Sequence, residues 1–255
     1  MTATWLDFWN GSRALYINAR HKDVHYRLIA NDIARLVPFR QARVLDYGCG
    51  DALHADIVAA AAAELVLCEA ALRIRARLTA RFCDGEAAGR YPNIRVIAPE
   101  EMERLADHSF GLIVVHSVIQ YLTTKETEAL LSVFHRLLQP GGILIIGDVI
   151  PPSGRVSSDA LALLRLAAAN GFLMATLAGL ARLLFSDYRS LRGRVGLARY
   201  EADEIYQMLS VAGFAPQRAS KNIGHDQARL AFVASPRSAG ANLSSPESHR
   251  DLRNP

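Results

Sequence analysis

Between Val44 and Ala52 the chain reads Val44-Leu45-Asp46-Tyr47-Gly48-Cys49-Gly50-Asp51-Ala52, an apolar run that ends on an acid and turns through two closely spaced glycines. This pattern constrains the fold to a strand, a tight turn and a helix in succession. The glycines allow φ > 0 in the turn and let a ligand approach the backbone, and a helix opening near Leu53 would offer free N–H groups. A second apolar run, Leu65-Val66-Leu67-Cys68, ends on Glu69, where a doubly wound sheet places the acid that accepts hydrogen bonds from ribose hydroxyls. The third glycine of a dinucleotide fingerprint would fall near Leu53 or His54 and is absent. A nucleoside without pyrophosphate therefore fits the motif better than NAD or FAD.

Strands are expected at about 43–47, 65–69, 94–97, 111–116 and 143–149, with helices at about 52–62, 71–83, 100–106 and 124–138 between them. Such alternation calls for a parallel sheet. Residues 5–37 carry helical periodicity through Val24, Leu28, Ile29, Ile33 and Leu36 and stop before Pro38, which predicts a helical N-terminal cap. A helix at about 203–212 and two runs at about 216–223 and 229–235 close the domain, the runs near enough to pair as an antiparallel hairpin. From Ser235 the chain is too rich in Ser, Pro, Arg and Asn to pack, and disorder is expected there.

In these segments the chain resembles class I S-adenosylmethionine-dependent methyltransferases of the type 11-like group. Val44 to Ala52 resembles their first motif, with Ala52 where members often carry another glycine. Ser109-Phe110-Gly111-Leu112-Ile113-Val114-Val115-His116 resembles the fourth strand, with Gly111 in place of the usual Asp. Leu137-Leu138-Gln139-Pro140-Gly141-Gly142-Ile143 resembles the approach to the fifth, and Ala212-Gly213-Phe214 with Arg229 to Ala234 resembles the last helix and closing strand.

The resemblance implies an α/β fold: a Rossmann-like, doubly wound seven-stranded mixed sheet with an antiparallel closing strand, a helical N-terminal cap and a helical insertion after the fifth strand. One domain would cover 1–236, with the cap at 1–38, the insertion at 151–199 and a tail at 237–255. The implied cofactor is S-adenosyl-L-methionine. Gly48, Cys49 and Gly50 would pass beneath its methionine moiety, Asp46 would orient the loop and the ammonium group, and Glu69 would clamp the ribose. The Asp that usually holds adenine is missing after the third strand, so Glu100 or Glu101 would substitute, with Met102 against the ring.

Methyl transfer from a sulfonium is an in-line displacement, and alignment and water exclusion can carry much of the catalysis. Should the acceptor require a base, His116 at the carboxyl end of the fourth strand is the first candidate, with contact to the cofactor's methionine end or to a backbone group as its other role. Tyr121 on the same rim and Tyr16 in the cap are further catalytic candidates, and His21, His25 and Tyr26 belong to the same cap. His21 and His25 have the spacing of a helical metal pair, but Lys22 stands where a zinc protease motif carries Glu, and no metal is expected.

A hydrophobic content of 51% and a charged content of 21% over 255 residues are ordinary for a single globular core. Three unpaired cysteines argue against a disulfide framework and against zinc, and the N-terminus lacks signal-peptide character, so a cytoplasmic home is expected. A net charge of +4 without interleaved aromatics does not suggest nucleic acid. Arg73, Arg75, Arg77 and Arg81 read as a solvated helix face, with an anionic docking patch as the alternative.

About fifty residues from Pro151 to Tyr200 exceed the short connection that the resemblance calls for. Leu166 to Ala181 carries no charge, yet falls short of the roughly 20 apolar residues that a membrane-spanning helix needs, and Asn170-Gly171 predicts a break into two helices. This insertion is expected to be a lid over an apolar pocket, a dimer or partner interface, or an element at 155–197 resting on a membrane through Arg182, Arg189, Arg192, Arg194 and Arg199. The sequence thus points to a methyltransferase acting on a small-molecule or lipid-like acceptor. A non-catalytic protein-binding scaffold of the same fold and a nicotinamide-dependent oxidoreductase are the alternatives.

Overall fold

The computed structural model describes residues 16–154, 156–184 and 197–237. Along the chain run α1 (Ala19–Leu36), β1 (Arg43–Tyr47), α2 (Ala55–Ala61), β2 (Glu64–Cys68), α3 (Leu72–Phe82), α4 (Gly85–Arg90) and β3 (Ile94–Ile97). They are followed by β4 (Phe110–His116), α5 (Thr124–Leu137), β5 (Leu138–Val149), α6 (Val156–Ala169), α7 (Leu173–Leu184), α8 (Ala202–Val211), β6 (Phe214–Arg218) and β7 (Leu230–Pro236).

The strands form one seven-stranded sheet in the order β3-β2-β1-β4-β5-β7-β6. The first five are parallel, while β7 runs antiparallel to β5 and pairs with β6 as a hairpin. Successive strand side chains point to opposite faces, so a strand that is apolar throughout needs cover on both sides. Leu45, Val66, Ile113, Val115 and Ile146 pack on one face with α5 and α8. Val44, Leu65, Leu67, Val114 and Ile145 pack on the other with α1, α2 and α3. Between β1 and β4 the strand order reverses, which opens a crevice at their carboxyl ends.

Several boundaries differ from expectation. The helix expected from residue 52 begins at Ala55, because Ala52 adopts φ 38° and its carbonyl closes a turn onto the Ala55 N–H at 3.1 Å. The helix expected at about 100–106 is a 3₁₀ turn over Pro99–Arg104, and α4 lies where no element was expected. β5 starts at Leu138 rather than 143, since Leu138 already pairs with Phe110 ahead of a register shift. β6 ends at Arg218, and the residues after it turn away into a loop held by Asn222 and Gln227. The first part of the expected cap, residues 1–15, and the expected disordered tail from 238 onward lie outside the described residues.

The insertion breaks into α6 and α7 at Asn170-Gly171, with Gly171 at φ +76° and the Asn170 amide donating to the Leu166 carbonyl at 2.8 Å. It docks on α1 through a small apolar cluster of Val24, Leu166, Ala167 and Phe172. The Phe172 ring stacks on His21 at 5.4 Å, and Arg229 of the loop before β7 holds Asp159 of α6 at 2.9 Å. Leu161, Met174 and Leu177 remain exposed on its outer side. Among the described residues no helix is long and apolar enough to cross a membrane.

Candidate active site

Gly48 and Gly50 adopt φ of +72° and +59°, where L side chains are strained. A Cβ on Gly48 would strike Val118, and one on Gly50 would come within 2.7 Å of the Tyr26 hydroxyl, so these glycines also let the loop pack against its own rim. The Glu69 carboxylate accepts the Gly50 N–H at 3.0 Å and the Ala71 N–H at 2.7 Å, tying the end of β2 to the glycine loop. From α1, the Tyr26 hydroxyl accepts the Asp51 N–H at 3.0 Å.

Arg73 and Arg77 of α3 are exposed, as a solvated face requires, but three of the helix's arginines also reach back toward the site. Arg81 donates to the Asp51 and Ala52 carbonyls, Arg77 pairs with the Asp51 carboxylate at 2.8 Å, and Arg75 donates to the Glu69 carbonyl at 2.7 Å. Arg77 and Arg81 thus fasten the loop from outside, with Lys22 on Asp51 from α1, while Arg75 holds the end of β2. Their i, i+4 spacing at Arg77 and Arg81 is the sequence signal that could have revealed it.

Above the carboxyl ends of the strands lies a cavity of about 940 Å³, near the top of the roughly 300–1,000 Å³ range for small-molecule sites. Asp46, Gly48, Cys49, Gly50, Glu69 and His116 line it, as do Tyr16 and Tyr121. Glu100, Glu101 and Met102 do not. The 3₁₀ turn points Met102 into the core beside Ile97 and Leu105, and Glu101 accepts the Ala98 N–H at 3.0 Å. Glu100 lies near enough to help push up the Cys68 thiol, though burial is the larger cause.

The lining is mostly apolar, and its charged positions are all acidic. It holds four carboxylates, Asp46, Glu69, Glu126 and Asp148, and among the described residues no Lys or Arg. Burial, followed by the charge of Glu69, pushes the Asp46 carboxyl up to about 7, and burial raises Glu69 as well. Such a site suits a cation and repels a pyrophosphate.

On the opposite rim, His116 Nε2 lies 3.2 Å from the Ile223 carbonyl, which can only accept, so Nε2 carries a proton. Its Nδ1 lies 3.2 Å from the Ser117 hydroxyl, which also bonds the Asp148 carboxylate. Since the single Ser117 proton goes to Asp148, His116 is engaged through its Nε2–H, which fastens the β4 end to the β6–β7 loop. Ser117 and Asp148 both adopt positive φ, 59° and 58°, at the ends of adjacent strands. Strain of this kind collects at ligand sites. Asp148 was not picked out from sequence, although an acid closing an apolar strand is the same signal that marked Asp46 and Glu69.

The cap side is aromatic. Tyr16 lies 5.9 Å from Tyr26 and 5.5 Å from His25, and His25 lies 5.8 Å from His225. Burial pushes Tyr16 up to about 12 and His25 down to about 3, so at neutral pH both are uncharged.

Residues 45–146 match the family model described as "Methyltransferase domain". No curated protein matches the chain at significance. Among solved structures, the YcgJ protein of Bacillus subtilis superposes with a TM-score of 0.52 at 16% identity, over 77% of this chain and 71% of that one. Human N-acetylserotonin methyltransferase, solved in complex with SAM, gives 0.54 at 12% identity over 91% of this chain, which spans 56% of that protein's length. Magnesium protoporphyrin IX methyltransferase of Synechocystis, solved with bound SAM, gives 0.52 at 13% identity, over 91% of this chain and 89% of that one. The sheet order, the glycine loop and the motif match over β1 to β5 together place a class I S-adenosylmethionine-dependent methyltransferase domain in this chain.

Proposed function

We propose that this methyltransferase acts on a small molecule with an apolar body, enclosed between the glycine loop, α1 and the end of the insertion. The observation that carries this reading is the cavity itself: anionic at its polar positions, apolar elsewhere, and large enough for two ligands side by side. S-adenosylmethionine would supply a methyl group activated on a cationic sulfonium. Asp46 would face its ammonium and Glu69 its ribose hydroxyls, while Gly48, Cys49 and Gly50 leave room for its methionine moiety.

The remaining chain residues then have positioning and desolvating tasks. Tyr16 and Tyr26 close the cap side as neutral phenols, and Leu197 and Ala198 bring the end of the insertion over the rim. Excluding water and fixing the line of approach account for much of the rate in a displacement of this type. A lipid-like acceptor is favoured by one observation, the exposed Leu161, Met174 and Leu177 on the outer side of the insertion. Peripheral contact of 155–197 with a membrane would then deliver the acceptor.

Calorimetry with S-adenosylmethionine, S-adenosylhomocysteine and NAD tests the reading. The two sulfur compounds are expected to bind and NAD is not, because its pyrophosphate would meet carboxylates. NAD binding alone would favour the oxidoreductase. Cofactor binding without methyl transfer to any acceptor in a broad panel would favour the scaffold.

A further inference from the structure

We propose that the methyl acceptor is an amine, and that the side-chain carbonyl of Gln120 takes up its N–H. This rests on the methyltransferase reading of the same cavity and adds the class of atom that is methylated.

Gln120 belongs to the 3₁₀ turn Ile119–Tyr121 beyond the end of β4 and is 5% exposed. It lines the cavity, yet its Oε1 is buried with no hydrogen-bond partner among the described residues. A buried amide oxygen without a donor is costly, and turning the Gln120 amide toward the cavity, where a ligand brings an N–H or O–H, removes the cost. The turn is clamped in place: the Gln120 backbone carbonyl accepts the Ala198 N–H at 3.0 Å, and the Tyr200 hydroxyl donates to the Ile119 carbonyl at 3.3 Å. Gln120 therefore sits on the wall built by β4, β5 and the end of the insertion. The groups assigned to the cofactor, Asp46 and Glu69, come from β1 and β2.

The choice between nitrogen and oxygen follows from charge. With an amine, the nitrogen lone pair forms the N–C bond while the C–S bond breaks and its electron pair stays on sulfur. The positive charge moves from sulfur to nitrogen without vanishing, and the proton of the N-methylammonium product leaves to water. A cavity whose charged lining is Asp46, Glu69, Glu126 and Asp148 accommodates that cation before and after transfer. A hydroxyl or carboxyl acceptor has to react as an oxyanion, which the same carboxylates repel.

Base supply does not decide the matter: Ser117 gives its single proton to Asp148, which has Arg229 at 3.8 Å, so the His116 Nδ1 lone pair stays open. His25, kept neutral by burial, is too weak a base to take a proton from a hydroxyl. An amine entering in its neutral form needs no such base.

The test uses the intact chain at mildly alkaline pH. Calorimetry first measures S-adenosylhomocysteine; if it does not bind, the methyltransferase reading fails and this proposal with it. With that ligand bound, phenethylamine, phenethyl alcohol and phenylacetate are compared. The amine is expected to bind roughly ten-fold or more tightly than the alcohol, with the acid weakest. Gln120→Leu should weaken amine binding by roughly ten- to a hundred-fold, leave S-adenosylhomocysteine affinity unchanged, and raise the melting temperature of the ligand-free protein by removing the orphaned oxygen. Gln120→Glu, which keeps an acceptor there, should retain amine binding. Preference for the alcohol or acid, or an amine affinity indifferent to Gln120→Leu, would overturn the proposal while leaving the methyltransferase reading intact. So would a Gln120→Leu effect on S-adenosylhomocysteine alone, since the oxygen would then belong to the cofactor's ammonium group.

Discussion

At the scale of single residues, Asp46 and Glu69 are the acids that the proposed reading sets against the cofactor. Burial and the charge of Glu69 hold Asp46 near 7 in the ligand-free protein. A cation placed beside it favours the ionised form, so binding below about 7 expels a proton. S-adenosylmethionine affinity should therefore rise as pH climbs through that value and level off above it. Calorimetry in two buffers of different ionisation enthalpy would detect the proton, and Asp46→Asn should abolish the pH dependence. Glu69→Ala should weaken S-adenosylmethionine binding by about 1.5–3 kcal/mol through loss of charge-assisted hydrogen bonds. It should also lower the melting temperature, because the Gly50 and Ala71 N–H groups lose their acceptor. Gly48→Val should abolish binding outright, since a β-branched residue at φ +72° is strained and its Cβ collides with Val118. An unchanged dissociation constant for this variant would remove the loop from the site.

At the scale of elements, the insertion and α1 act as one unit. Val24 and Phe172 bury one another's surroundings, His21 stacks on Phe172, and Arg229 carries the tie from α6 to the sheet. Replacing residues 155–197 with a short Gly/Ser linker should leave S-adenosylmethionine affinity nearly unchanged, because its expected contacts come from β1 and β2. Turnover on a hydrophobic acceptor should fall steeply as alignment and water exclusion are lost. If turnover survives and only sedimentation with anionic vesicles is lost, the insertion serves the membrane. A change confined to the oligomeric state in light scattering would make it an interface instead.

At the scale of the whole molecule, an apo site lined with desolvated carboxylates makes stability depend on ligand and pH together. Asp46 binds its proton more tightly folded than unfolded, so the folded state holds more protons between about 4 and 7. Stability of the ligand-free protein should fall as pH rises through that window, and thermal melts across it measure the slope. Saturating S-adenosylhomocysteine at about a hundred times its dissociation constant should add about 2.7 kcal/mol and offset the loss. The alternation of strands and helices, the glycine turn and the acids closing β1 and β2 were legible in the sequence, because each depends on local periodicity and on side chains within one βαβ unit. The roles of Arg77, Arg81, Gln120 and Asp148 were not. Each is defined by what faces it from another element: a loop carbonyl across the α3 packing, the lack of a donor at the Gln120 side-chain oxygen, a Ser117 hydroxyl at the end of the neighbouring strand. The sequence by itself determined the fold class and the glycine loop at its crevice. Only tertiary packing decided which polar groups are left without partners and that the cavity's charges share one sign, because burial and hydrogen-bond satisfaction are properties of the assembled neighbourhood.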